Sequence, residues 1–165
     1  MFTAASSPVD LLRFYLPHNH NTMPKLSEKI ALAAESKIGI REKGGANRGA
    51  GLTEFFAADN YKPSPDFGYA WCAAFVCRCV QIAIVGIVIT FRRPTTPGAW
   101  ALIDWSLGQD NSTHTKLEPG NDIKRGDIIV FKKSHCGIST SSVDDQGRFY
   151  TVSPPSREAR IETQF

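Results

Sequence analysis

The spacing of apolar residues changes once along the chain, near residue 122, and that change restricts the fold more than any single motif. Before it, apolar residues recur every three or four positions, the repeat of a helix with one buried face. After Pro24, the stretch LSEKIALAAESKIG places Leu26, Ile30, Leu32 and Ala33 on one face and ends at Gly39. IREKGGANRGAG is rich in Gly and Asn and reads as an exposed loop. LTEFFAADNY is helical again, with Leu52, Phe55 and Phe56 inward. The proline-bearing loop KPSPDFGY leads into Trp71 and Cys72. The following segment, AAFVCRCVQIAIV, carries a buried stripe of Phe75, Val76, Cys79, Val80 and Ala83. TPGAWALIDWSLG reads as a further short helix bearing Trp100 and Trp105, followed by the polar loop DNSTHTKLEPGND. Beyond it, IKRGDIIVFKK is a turn and a buried strand, SHCGISTSSV a second strand, DDQG a turn and RFYTVS a third strand. Pro154 and Pro155 close that strand, because proline cannot continue a central ladder. Helices first and an antiparallel meander afterwards predict an α+β fold. Residues 1–24 read as an N-terminal arm or short helix, and residues 25–165 as one domain, with no internal repeat.

Composition removes several classes of function. A chain of 165 residues can bury a substantial core. Its formal net charge of +3 is too small to argue for a polyanionic partner, and no Lys/Arg run is interleaved with aromatics, so nucleic-acid binding is not expected. The apolar stretch 82–90 is far shorter than the ~20 residues that span a bilayer, so no membrane insertion is expected. The first residues have no basic region followed by a long apolar core, and they do not read as a secretory signal. The expectation is synthesis in the cytoplasm, with any action outside depending on export or release. The four cysteines, Cys72, Cys77, Cys79 and Cys136, contain no CxxC pair, so neither a zinc site nor any other metal or cofactor is expected.

Cys72 follows Trp71 at the start of the most apolar helix. There the unpaired N–H groups and the helix dipole favour a thiolate. A thiolate nucleophile needs an imidazole to hold it charged and then to protonate the leaving group. His135, at the start of a strand, is the candidate. The segment YAWCAAFV, followed about sixty residues later by RGDIIVFKKSHCGIS, resembles the CHAP family of cysteine, histidine-dependent amidohydrolases and peptidases, within the NlpC-like, papain-like group. REKGGANRGAGLTEFF also resembles the segment that precedes the nucleophile in wall-lytic members. The resemblance covers roughly residues 26–153. It implies a papain-like fold, with the nucleophile helix packed on an antiparallel sheet. It also implies Cys72 as nucleophile and His135 as general base and acid. The backbone N–H of Cys72 is a candidate oxyanion donor, and Trp71 either walls the substrate cleft or belongs to the core. Asp127 reads as a turn residue, and Cys136, alternating with His135 along a strand, as core.

A third group should accept a hydrogen bond from the histidine and fix its tautomer. The resemblance implies an acidic or amide side chain in the next strand, where this chain has TVSPPS. Hairpin arithmetic across DDQG places His135 opposite residues 155–157. The candidates are therefore Ser153, Ser156, the Pro154 or Pro155 carbonyl, and Glu158. The resemblance implies hydrolysis of an amide in bacterial peptidoglycan, either the N-acetylmuramoyl-L-alanine bond or a stem-peptide bond. The chain would then be a phage lysin or a secreted antibacterial effector acting in the periplasm or cell wall, with an immunity protein or secretion chaperone as a possible partner. The alternatives are a catalytically impaired module that binds the wall or a partner, and a papain-like peptidase or deamidase acting on a host protein.

Overall fold

The computed structural model describes residues 24–62, 69–109, 122–131, 134–154 and 160–164, the last as backbone only. The expected arm at residues 1–24 lies outside the described residues except for Pro24. Among the described residues, four α-helices and one short 3-10 turn (Ala50–Leu52) precede four strands: α1 (Leu26–Glu35), α2 (Thr53–Ala58), α3 (Cys72–Ala83), α4 (Ala101–Leu107), β1 (Ile128–Phe131), β2 (His135–Ser139), β3 (Phe149–Ser153) and β4 (Arg160–Gln164). The architecture is mixed α+β, as the change of spacing predicts.

α3 is the centre of the molecule. Nine of its twelve residues are buried, including the whole predicted stripe from Phe75 to Ala83. It packs against α1, α2 and β2. Each apolar side chain it buries contributes about 1.5–3 kcal/mol, which outweighs the weak helix propensity of its valines and cysteines. α1 differs from expectation in one position. Ile30, Ala31, Ala33 and Ala34 are buried, but Leu32 is 49% exposed. Leu32 lies two residues on from Ile30, a rotation of about 200° around the helix, and therefore faces away from α3.

The strands form an antiparallel meander in the order β1-β2-β3-β4. β1 pairs with β2 through Val130↔Cys136 and Phe131↔His135, and β2 with β3 through Ile138↔Val152 and Ser139↔Thr151. Side chains alternate between the two faces. Ile128, Val130, Cys136, Ile138 and Val152 join the main core under α3. Ile129, Phe131 and Phe149 join a smaller cluster with Ile123 and Val143 on the other side. β3 ends at Ser153, just before Pro154, as the prolines require. β4, paired with β3 from Phe149↔Gln164 to Ser153↔Arg160, is an element the sequence reading does not contain.

Two close approaches lock the layers together. Gly126 has φ +93°, and a Cβ there would overlap the Ser27 carbonyl at the start of α1. Beside it, Arg125 forks onto Glu35 at 2.6 and 2.9 Å and onto Glu28 at 3.0 and 3.2 Å, and donates to the Thr140 carbonyl. Asp127 behaves as the turn residue expected, its Oδ2 accepting from the Lys124 N–H at 2.8 Å.

Candidate active site

α3 begins at Cys72, so the first N–H groups of the helix have no intrahelical acceptors. β2 begins at His135, immediately after Ser134, whose φ of +55° turns the chain into the strand. The start of the helix and the start of the strand meet at one cleft of about 300 Å³, lined by Asn47, Ala70, Trp71, Cys72, Ser134, His135 and Pro154. The two residues singled out for nucleophilic chemistry, more than sixty positions apart in the chain, thus share a cavity.

The surroundings of Cys72 hold its thiol down to about 4. The largest influence is a hydrogen bond donated by the Cys136 thiol. Burial opposes it, and the hydrogen bond and charge of His135 add to it. In the same exchange the Cys136 thiol is pushed far above the ordinary cysteine value, so it remains the protonated donor. Burial drives the other two thiols the other way: Cys77 is raised to about 11, and Cys79 further still. Among four free cysteines, only Cys72 is arranged to be a thiolate at neutral pH.

His135 belongs to the sheet face opposite Cys136, and its ring stacks on Phe131 with centroids 5.8 Å apart and planes 18° from parallel. Alternation along β2 holds, with Cys136 in the main core as expected. Cys136 nevertheless does more than fill space. Because α3 starts beside the first residues of β2, both His135 and its neighbour reach the same sulfur.

The Nε2 of His135 is buried and has no hydrogen-bond partner among the described residues. β2 pairs with β3 through Ile138↔Val152 and Ser139↔Thr151, and residues 155–157, which the hairpin arithmetic sets opposite His135, lie outside the described residues. Ser153, a candidate orienting residue, does not reach Nε2. It is fully buried two residues deeper in the sheet, where its Cβ fills the space that a side chain at Gly137 would need. Ser156, Pro155 and Glu158 lie outside the described residues, while Pro154 lines the cleft.

Trp71 is both wall and core. It lines the cleft yet is only 2% exposed, packs on Phe55 at 5.3 Å, and donates from its indole N–H to Glu42 Oε1 at 3.0 Å. That bond ties the Gly-rich loop to the site. The loop is closed on itself by the Lys43 N–H on the Arg48 carbonyl at 2.7 Å. The tie brings Asn47 to the cleft with φ +57°. Asn47 is a site residue that sequence reasoning missed. The only signal for it is an Asn between glycines, the residue type that best tolerates this backbone conformation after Gly. Two of the three positive-φ non-glycine residues among the described residues, Asn47 and Ser134, border this cleft. Such strain tends to collect where geometry is prescribed by function.

Compared with known proteins, the chain matches no family model, no curated protein and no solved structure.

Proposed function

We propose that this chain is a cysteine amidohydrolase of the papain-like, CHAP type that cleaves an amide bond in bacterial peptidoglycan. One observation carries the chemistry: a thiolate-forming Cys72 at a helix N-terminus shares a cleft with His135. The wall substrate is supported by the likeness of YAWCAAFV and RGDIIVFKKSHCGIS to that family.

In this mechanism the Cys72 sulfur attacks the scissile carbonyl carbon, and the carbonyl oxygen gains the negative charge. The Cys72 backbone N–H and the Asn47 side-chain amide are the candidate donors for that oxyanion. The intermediate collapses as the C–N bond breaks, and His135 delivers a proton to the departing amine. Water, deprotonated by the same imidazole, then attacks the thioester, releasing the carboxylate and restoring the thiol group. Trp71 holds the wall of the cleft rigid through Phe55 and Glu42. Acting on the wall places the enzyme in the periplasm or outside the cell after export or release. An immunity protein or a secretion chaperone is the corresponding partner. Among the described residues no helix is long and apolar enough to cross a membrane.

Among the described residues the Nε2 of His135 has no partner, and the alternative reading is a module that binds the wall without turnover. Incubating the protein with intact sacculi, beside Cys72→Ala, and weighing the released fragments separates the two. Fragments from the wild type alone establish the hydrolase and identify the bond. Retention on sacculi without fragments from either protein establishes the binding module.

A further inference from the structure

Cys136 follows His135 in β2 and packs in the same core as the nucleophile, and the proposed hydrolysis has no step for it. Its side chain is wholly buried, whereas Cys72 opens on the cleft; both belong to the core formed where α3 lies on β2. The other two thiols are set apart. Cys77 donates to the Thr96 carbonyl at 3.6 Å. Cys79 lies two turns up α3, about 10 Å along the axis from Cys72. We infer that Cys72 and Cys136 form a reversible oxidation site, in which a hydroperoxide reacts at Cys72 from the cleft and Cys136 resolves the product to an intramolecular disulfide.

The chemistry balances with the hydroperoxide as the only co-reactant. The Cys72 thiolate attacks one peroxide oxygen, the O–O bond breaks, and hydroxide leaves, taking a proton to become water. Cys72 is now a sulfenic acid, oxidised by two electrons. The Cys136 sulfur gives up its proton and attacks the Cys72 sulfur. The S–O bond breaks, a second water leaves and the S–S bond forms. Two thiols and one hydrogen peroxide thus become one disulfide and two waters. The sulfur that would attack a substrate carbonyl is then occupied until a thiol reductant releases it. The resolving thiol also keeps the nucleophile from advancing to the irreversible sulfinic acid. A lone reactive cysteine lacks that protection, and a peroxide reaches this nucleophile through the cleft on which it opens. The oxidation itself is independent of whether the cleft hydrolyses peptidoglycan. Only the loss of turnover rests on that reading.

The test is a mass measurement on the purified full chain treated with hydrogen peroxide, alkylated, digested and mapped. The expected result is a Cys72–Cys136 cross-linked peptide that disappears with dithiothreitol, while Cys77 and Cys79 are recovered alkylated. In Cys136→Ala the expected product is Cys72 sulfinic acid, which dithiothreitol does not reverse. Should that variant misfold, the wild-type map decides by itself. Cys72 recovered as sulfenic or sulfinic acid beside an alkylated Cys136 overturns the proposal, as does a cross-link from Cys72 to any other cysteine. Failure of the hydrolase reading registers separately, as absence of sacculus cleavage by the reduced protein.

Discussion

At the scale of single residues, the site depends on which atoms face the Cys72 sulfur. Its thiolate is favoured first by Cys136, then by His135, against the cost of burial. The rate of Cys72 alkylation by iodoacetamide should therefore stay level through the neutral range and fall to half at about pH 4. Cys77, held up at about 11, should react only once the protein is unfolded. A half-point near the ordinary cysteine value of about 8.5 contradicts this arrangement. Asn47 supplies a second check. Asn47→Gly keeps the left-handed backbone accessible and deletes only the amide. An oxyanion donor lost in this way lowers kcat on sacculi by about 10²–10³-fold with KM little changed. An unchanged kcat reduces Asn47 to a loop residue. The sequence discloses Cys72 and His135 because each carries its own chemistry and its own flanking motif. It does not disclose the roles of Cys136 and Asn47, which depend on contacts between elements far apart in the chain. A cysteine in an apolar strand and an Asn among glycines look the same with or without such contacts.

At the scale of elements, the edge of β2 sets the position of His135, and Gly137 sets how closely β2 approaches β3. A Cβ at Gly137 would come within 2.8 Å of the Ser153 Cβ and 2.9 Å of the Val152 carbonyl oxygen. Neither can retreat, since Val152 and Ser153 are held between β2 and β4. Gly137→Ala should cost about 1–3 kcal/mol, the usual range for overpacking. It should also lower activity beyond what the lost folded fraction explains, by shifting the start of β2. Urea denaturation together with activity per folded molecule checks both parts. A variant of wild-type stability shows that the strands can separate freely. The elements themselves were legible wherever burial is one-sided and repeats, as in α3 and the first three strands. Leu32 departs from the expected face because a helix as apolar as α1 offers more than one face, and only the position of α3 selects between them. β4 is not legible in the sequence because REARIETQF has few strand-forming apolar residues and follows two prolines. Its pairing comes from the open edge of β3, which no local pattern reports.

At the scale of the whole molecule, the helical layer and the sheet must stay in register for a nucleophile on one to meet an imidazole on the other. Arg125 is the principal polar fastening between them, joining the turn before β1 to both ends of α1 through Glu28 and Glu35. Those pairings lie about ninety or more residues apart in the chain, so nothing in the local sequence around Arg125 announces them. Its fork onto Glu35 is the strongest reason that the Glu35 carboxyl lies below its ordinary range, burial pulling the other way. A carboxyl lowered in the folded state contributes stability that is complete above its unfolded value, about 4.3, and is lost as pH falls through the lower folded value. Glu54 adds to the same trend. Burial raises its carboxyl, but the hydrogen bonds and charges of Lys37 and Arg78 leave it lowered overall. The wild-type chain should therefore lose stability in acid below about pH 4. Arg125→Gln should lose about 1–2 kcal/mol at neutral pH, toward the lower end because the Glu35 side chain is 34% exposed and the pair is screened by solvent. The variant should also lose less on acidification, since Glu35 then titrates nearer its unfolded value in both states. Urea midpoints measured from about pH 7 to about pH 3 should thus bring the two stability curves together at the acid end. Curves that stay parallel throughout would mean that Arg125 holds the layers by packing alone, and that its charge has no part in keeping Cys72 and His135 in one cleft.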